Sequence, residues 1–122
     1  MKAHNLFYMD CHLAGRKYHD ADLVWDSLHV GATLRLERDP LNHYDADAIQ
    51  VVYNKEGEDY LLGFIPRGCN HDIASFFDMG WDNLFDCRIS RLNPNAHPEQ
   101  QVQLTIRIRR NERTAARSKN NI

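Results

Sequence analysis

The sequence predicts a mostly β fold: a compact barrel or sandwich of about six strands with one or two short helices. Three observations carry this. Val102, Leu104, Ile106 and Ile108 alternate with Gln103, Thr105, Arg107 and Arg109, and Phe85, Cys87 and Ile89 alternate with Asp86, Arg88 and Ser90. A period of two belongs to a strand with one buried face. Two further runs, Ala48 to Asn54 and Tyr60 to Pro66, are rich in β-branched and aromatic residues and flank Lys55-Glu56-Gly57-Glu58-Asp59, a glycine-bearing connection of hairpin type. Finally, only short stretches show helical spacing. With 122 residues the chain makes one domain.

Taken in order, Leu6 to Leu13 reads as a first strand with apolar residues on both faces, ending at Ala14-Gly15. A short helical turn is expected over Asp22 to Leu28. Leu34 and Leu36, flanked by Arg35, Glu37 and Arg38, mark the second strand, and the two hairpin runs supply the third and fourth. Asn70 or Asp72 then caps a helix whose apolar face is Ile73, Ala74, Phe76 and Phe77, stopped by Gly80. The Phe85 and Val102 strands complete the set, separated by the proline-bearing loop Asn93 to Gln100. Residues 1–110 therefore form the domain, and 111–122, which lose all periodicity, form a basic, disordered tail.

Composition narrows the function. At 43% hydrophobic, 26% charged and 10% aromatic, the chain is an ordinary globular protein. The longest apolar run, Leu6 to Met9, is far too short for a membrane span, and no secretory signal is readable, so an intracellular, cytoplasmic protein is expected, nucleoid-associated if bacterial. Cys11, Cys69 and Cys87 are too few and too widely spaced for a disulfide framework and read as small core hydrophobes. Net charge is −2, with −7 on residues 1–106 and +5 on 107–122. An acidic body does not coat duplex DNA non-specifically, so any nucleic-acid site is local. The basic tail is either an extension of such a site or a solvated terminus.

No phosphate loop, nucleophile elbow, Cys-x-x-Cys or His-Glu-x-x-His is present, so neither catalytic residues nor a cofactor are expected. Cys11-His12 and Cys69-x-His71 are not repeated at zinc spacing, and no metal site is assigned; His4, His12, His29 and His71 read as surface or capping residues. What stands out is a dense cluster from Arg38 to Ile49, in which proline and Asn/Asp turn chemistry surround Tyr44. A second aromatic-basic loop, Gly15-Arg16-Lys17-Tyr18-His19, lies upstream. Both are either well-made turns or the aromatic and cationic surface that single-stranded nucleic acid requires.

With Leu62-Gly63-Phe64-Ile65-Pro66-Arg67, these clusters resemble the HIRAN family. The pattern Ala-Gly-x-x-Tyr occurs at Ala14 to Tyr18, Glu-Arg-Asp-Pro-x-Asn-x-Tyr-Asp-x-x-Ala-Ile-x-Val at Glu37 to Val51, and Leu-Gly-x-Ile-Pro-Arg at Leu62 to Arg67. The resemblance covers Leu6 to Arg109. It implies a modified OB-like β barrel that binds single-stranded DNA by capturing a free 3′ end, in repair or stalled-fork processing. It also implies partnership with helicases, nucleases or remodelling ATPases, and this chain looks like a stand-alone copy.

On that resemblance, Tyr18 and Tyr44 match base-stacking aromatics, Asp45 the acid that accepts from a 3′ hydroxyl, and Lys17 and Arg67 the phosphate-holding cations. His19 stands where a second aromatic is common, and His43 where proline is common. Asn42 orients the loop or touches DNA, and Phe64 lies beside the groove or in the core. Each has a plainer reading: half-buried tyrosines, an Asx-turn acceptor at Asp45, solvated cations. Gly15 and Gly63 read as backbone permissiveness. Two other functions stay open: a protein-interaction adaptor with little DNA affinity, and a metal-dependent nuclease built on Asp39, Asp45 and Asp47.

Overall fold

The structure, a computed structural model, describes residues 4–111. The basic tail beyond them lies outside the described residues. Six strands form one antiparallel sheet: β1 (Leu6–His12), β2 (Thr33–Arg38), β3 (Ile49–Lys55), β4 (Glu58–Phe64), β5 (Phe85–Leu92) and β6 (Val102–Ile108). Their spatial order is β1-β6-β5-β2-β3-β4. Two helices, α1 (Ala21–Val24) and α2 (His71–Asp78), join them, with 3-10 turns at Arg16–Tyr18, Trp25–Ser27 and Pro98–Gln100. The single sheet curls into an OB-like barrel that is not fully closed, rather than a two-sheet sandwich. Its two edges meet at one point, where Ala14 and Phe64 exchange backbone hydrogen bonds of 2.9 Å in both directions.

That meeting point explains Gly63. Conformational freedom is not what this position needs, contrary to the sequence expectation. A Cβ there would collide with the Ala14 carbonyl oxygen and lie 3.0 Å from Leu13 Cδ1. Only a hydrogen side chain lets the β4 backbone reach the end of β1. Gly15, by contrast, does use glycine's freedom, sitting in the left-handed region at φ 71°.

The core is the inner face of the curled sheet, closed by α2. Leu13, Ile49, Leu62, Ile73, Leu104 and Ile106 are wholly buried. β6 and β5 keep their expected alternation, with two exceptions. Thr105 is buried and donates to Asp10 Oδ1 at 2.6 Å, and Asp86 is buried with Arg88 Nε at 3.1 Å. β3 departs from alternation in that Val51 and Val52 are both buried, though only Val51 joins the core; its register with β4 shifts between them, where β4 carries Leu62 as an extra residue. The five-residue hairpin connection is in fact two residues, Glu56 and Gly57, both at positive φ (53° and 89°), with Lys55 paired to Glu58. Such a turn matches the twist of its strands. In α2 the predicted apolar face holds for Ile73, Ala74 and Phe77, but Phe76 stands 40% exposed with its edge on Phe85 at 5.9 Å. Cys11 and Cys87 are buried free thiols and Cys69 is half-buried. Among the described residues no helix is long and apolar enough to cross a membrane.

Candidate nucleic-acid interface

The first loop is built on a buried arginine. Gly15 turns the chain left-handed, and the 3-10 turn Arg16–Tyr18 follows, closed by Tyr18 N–H donating to Gly15 O at 3.0 Å. Arg16 folds inward, stacks 4.3 Å from the Trp25 ring centroid and pairs with Asp22 at 2.8 Å. The arginine in the middle of the predicted aromatic-basic cluster is thus an anchor. Its burial forces the next two side chains outward. Tyr18 is 73% exposed, and Lys17 Nζ lies 5.6 Å from its ring. His19 does not stand free as an exposed stacking surface. It is half-buried, with its ring centroid 5.4 Å from that of Phe64, itself half-buried at the end of β4. Glu99 crosses over from the β5–β6 loop, and both its carboxylate oxygens accept from Gly15 N–H at 3.1 Å.

The second loop, between β2 and β3, is braced from three directions. Internally, Asn42 Oδ1 accepts from the backbone N–H groups of Tyr44 (2.9 Å) and Asp45 (3.0 Å), while its amide donates to Asp39. Asn42 is therefore the loop's organiser. From β2, Arg38 donates to the Ala46 and Ala48 carbonyls and pairs with Asp78 at 3.0 Å. From the segment after β4, Arg67 Nη2 donates to the Tyr44 carbonyl at 2.7 Å. With its backbone held on both sides, Tyr44 presents a ring that is 86% exposed. An aromatic this exposed on a fixed backbone has no packing role.

Asp45 is more constrained than its neighbour. Its Oδ1 accepts from Asp47 N–H at 2.9 Å, the Asx turn foreseen as the plainer reading, and its Oδ2 accepts from the Asn70 amide at 2.7 Å. Two carboxylate oxygens offer about four acceptor positions, so these two bonds leave capacity for a hydroxyl donor. Asp47 in turn holds His71 Nδ1 at 2.9 Å, which raises the histidine's pKa through that hydrogen bond and the charge behind it. Asp39, Asp45 and Asp47 each face a different partner. Among the described residues no group of three or more His, Cys, Asp or Glu side chains is arranged to hold a metal ion.

The eight candidate residues thus fall into two groups. Lys17, Tyr18, His19 and Phe64 form one; Asn42, Tyr44, Asp45 and Arg67 form the other. What joins them is the short segment from Phe64 to Arg67, whose ends lie at most about 11 Å apart. Pattern reading missed Asn70, seen only as a helix cap, and also Glu99. Each acts across a long sequence interval, 25 residues for Asn70 and Asp45 and 84 for Gly15 and Glu99. No local signal marks them.

Comparison with known proteins decides the family. The HIRAN domain model matches residues 6–110, nearly the whole described chain. The chain belongs to the HIRAN domain family. This HIRAN domain is 31% identical over 98 residues to a Fanconi-associated nuclease 1 homolog of Oryza sativa subsp. japonica, a match covering 80% of the chain and 9% of the relative. It spans less than a tenth of that protein. Among solved structures, a Lactobacillus plantarum protein superposes with a TM-score of 0.70 at 23% identity, over 89% of this chain and all of that one. The HIRAN domain of human HLTF superposes with a TM-score of 0.60 at 18% identity, covering 92% of this chain and 85% of that one. At those identities the likeness concerns the fold.

Proposed function

We propose that this HIRAN domain is a non-catalytic module that binds single-stranded DNA and receives its free 3′-hydroxyl end. The observation that carries the reading is the pair of tyrosines, Tyr18 and Tyr44, 73% and 86% exposed on loops whose backbones are otherwise tied down. Base stacking on such a ring contributes about 1 to 3 kcal/mol per base and tolerates any base. Lys17 supplies a charge beside one ring. Arg67, with one of its five donors spent on the Tyr44 carbonyl, has others for a phosphate. Asp45 provides the end selectivity: a carboxylate repels a phosphodiester but accepts from a terminal hydroxyl.

The rice relative's name as a Fanconi-associated nuclease homolog supports a setting in DNA repair or stalled-fork processing inside the cell, beside helicase, nuclease or ATPase partners. The acidic balance of the body favours, as second reading, a protein-binding adaptor. Fluorescence anisotropy decides, using a labelled short strand ending in a 3′ hydroxyl, the same strand ending in a 3′ phosphate, and a blunt duplex. Preference for the free hydroxyl is the expected result. Equal binding to all three overturns end recognition, and absence of binding favours the adaptor.

A further inference from the structure

We infer that Asn70 is a positioning residue that sets the module's selectivity for a 3′ hydroxyl over a 3′ phosphate by fixing the Asp45 carboxylate. The inference rests on the end-binding reading above. Asn70 is only 3% exposed, yet its side chain makes no capping bond at the start of α2. Its backbone carbonyl does the helix's work by accepting from Ala74 N–H at 2.8 Å. The amide is directed instead at Asp45 Oδ2, 2.7 Å away. An ionised carboxylate only accepts, so the nitrogen of the amide is the atom that must face it. Asp47 N–H holds the other oxygen from within the loop.

The two donors hold the carboxylate by one oxygen each, one of them placed by the N-terminal cap of α2. The lone pairs left over then point in a set direction, and a hydroxyl arriving along it meets an aligned acceptor. Without the helix donor the group turns on its side-chain torsions with one local bond remaining. A rotating carboxylate still repels phosphate, but it no longer favours the hydroxyl. Asn70 therefore contributes to discrimination at the strand's end rather than to affinity along it.

The test compares wild type, Asn70→Ala, Asn70→Leu, Asp45→Ala and the Asp45→Ala/Asn70→Ala double variant against three probes: 3′-hydroxyl, 3′-phosphate and circular single-stranded DNA. Asn70→Leu keeps the branched side-chain shape while removing the donor, and so covers the case in which the cavity left by Asn70→Ala prevents folding. In both Asn70 variants the hydroxyl-over-phosphate ratio should fall by about tenfold, the scale of one hydrogen bond to a charged group, with circular DNA bound as before. With Asp45 already removed, Asn70→Ala should leave the ratio unchanged. Three results overturn the assignment: a ratio untouched by either Asn70 variant, an equal loss on all three probes, or a further fall in the ratio without Asp45. A wild-type protein that binds circular and linear DNA alike removes the end-binding reading itself, and the assignment with it.

Discussion

Gly63→Ala probes the point where the curled sheet meets itself. The added methyl would overlap the Ala14 carbonyl oxygen and press on Leu13 Cδ1 and Cγ at 3.0 and 3.1 Å. The oxygen is backbone already engaged with Phe64 N–H, and Leu13 is wholly buried, so neither yields easily. Relief requires parting Ala14 from Phe64. That costs two backbone hydrogen bonds at about 1 kcal/mol each. Overpacking in the adjacent core adds about 1 to 3 kcal/mol. The sum is about 3 to 5 kcal/mol, a large part of the roughly 5 to 15 typical of a domain. Urea unfolding followed by tryptophan fluorescence measures it, and hydrogen exchange at the Ala14 and Phe64 amides locates it. Gly57→Ala is the control: nothing lies within 4 Å of its Cβ, but its φ of 89° should still cost about 1 kcal/mol. A Gly63→Ala loss below about 1 kcal/mol, with both bridge amides still protected, would refute the steric argument. The same change should weaken DNA binding, because the bridge sets the Tyr18 loop against the segment leading to Arg67.

The exposed rings give a complementary case. Tyr18→Ala and Tyr44→Ala should each weaken single-strand binding by about 1 to 3 kcal/mol while shifting unfolding by less than about 0.5. Losses below 0.5 in binding for both would end the stacking assignment. Asp45→Ala should erase the preference for a 3′ hydroxyl with binding to internal strand little changed; an unchanged preference on the anisotropy assay removes Asp45 from the site. His71 carries a raised pKa because of Asp47, so its stabilising effect is complete below the unfolded value near 6.5 and is lost as pH rises through the folded value. Ring titration by NMR should show a midpoint above that value, lowered toward it by Asp47→Asn. A normal midpoint in the wild type contradicts the pair. Burial pushes the Cys11 thiol up to about 12 and raises Cys87 as well, so a thiol reagent at neutral pH should label half-buried Cys69 first; faster labelling of either buried thiol contradicts the packing.

Much of the architecture was legible locally. Alternation at Phe85, Cys87 and Ile89 and at Val102, Leu104 and Ile106 placed β5 and β6, because the pleat imposes a period of two on any strand with one buried face. The Asx chemistry of Asn42 and Asp45 was equally readable, since both side chains bond backbone within three residues. The exceptions share a cause. Asp86, Thr105 and Arg16 are polar residues that burial tolerates only because Arg88, Asp10 and Asp22 reach them. Phe76 stays largely exposed, and its tertiary contact is the edge of its ring on Phe85.

The sequence by itself determined the strands, the helix α2, the turn chemistry of the Asn42 loop and, through its three motifs, the family. Tertiary structure alone decided that the sheet stays open except at Ala14 and Phe64, that Gly63 is required for contact rather than flexibility, and that His19 packs on Phe64. It also decided that Asn70 serves Asp45 rather than its own helix. Local periodicity arises from the geometry of a single strand or helix and is written residue by residue. Which groups meet across 25 or 84 positions depends on how the sheet curls, and that is set by the whole core packing at once.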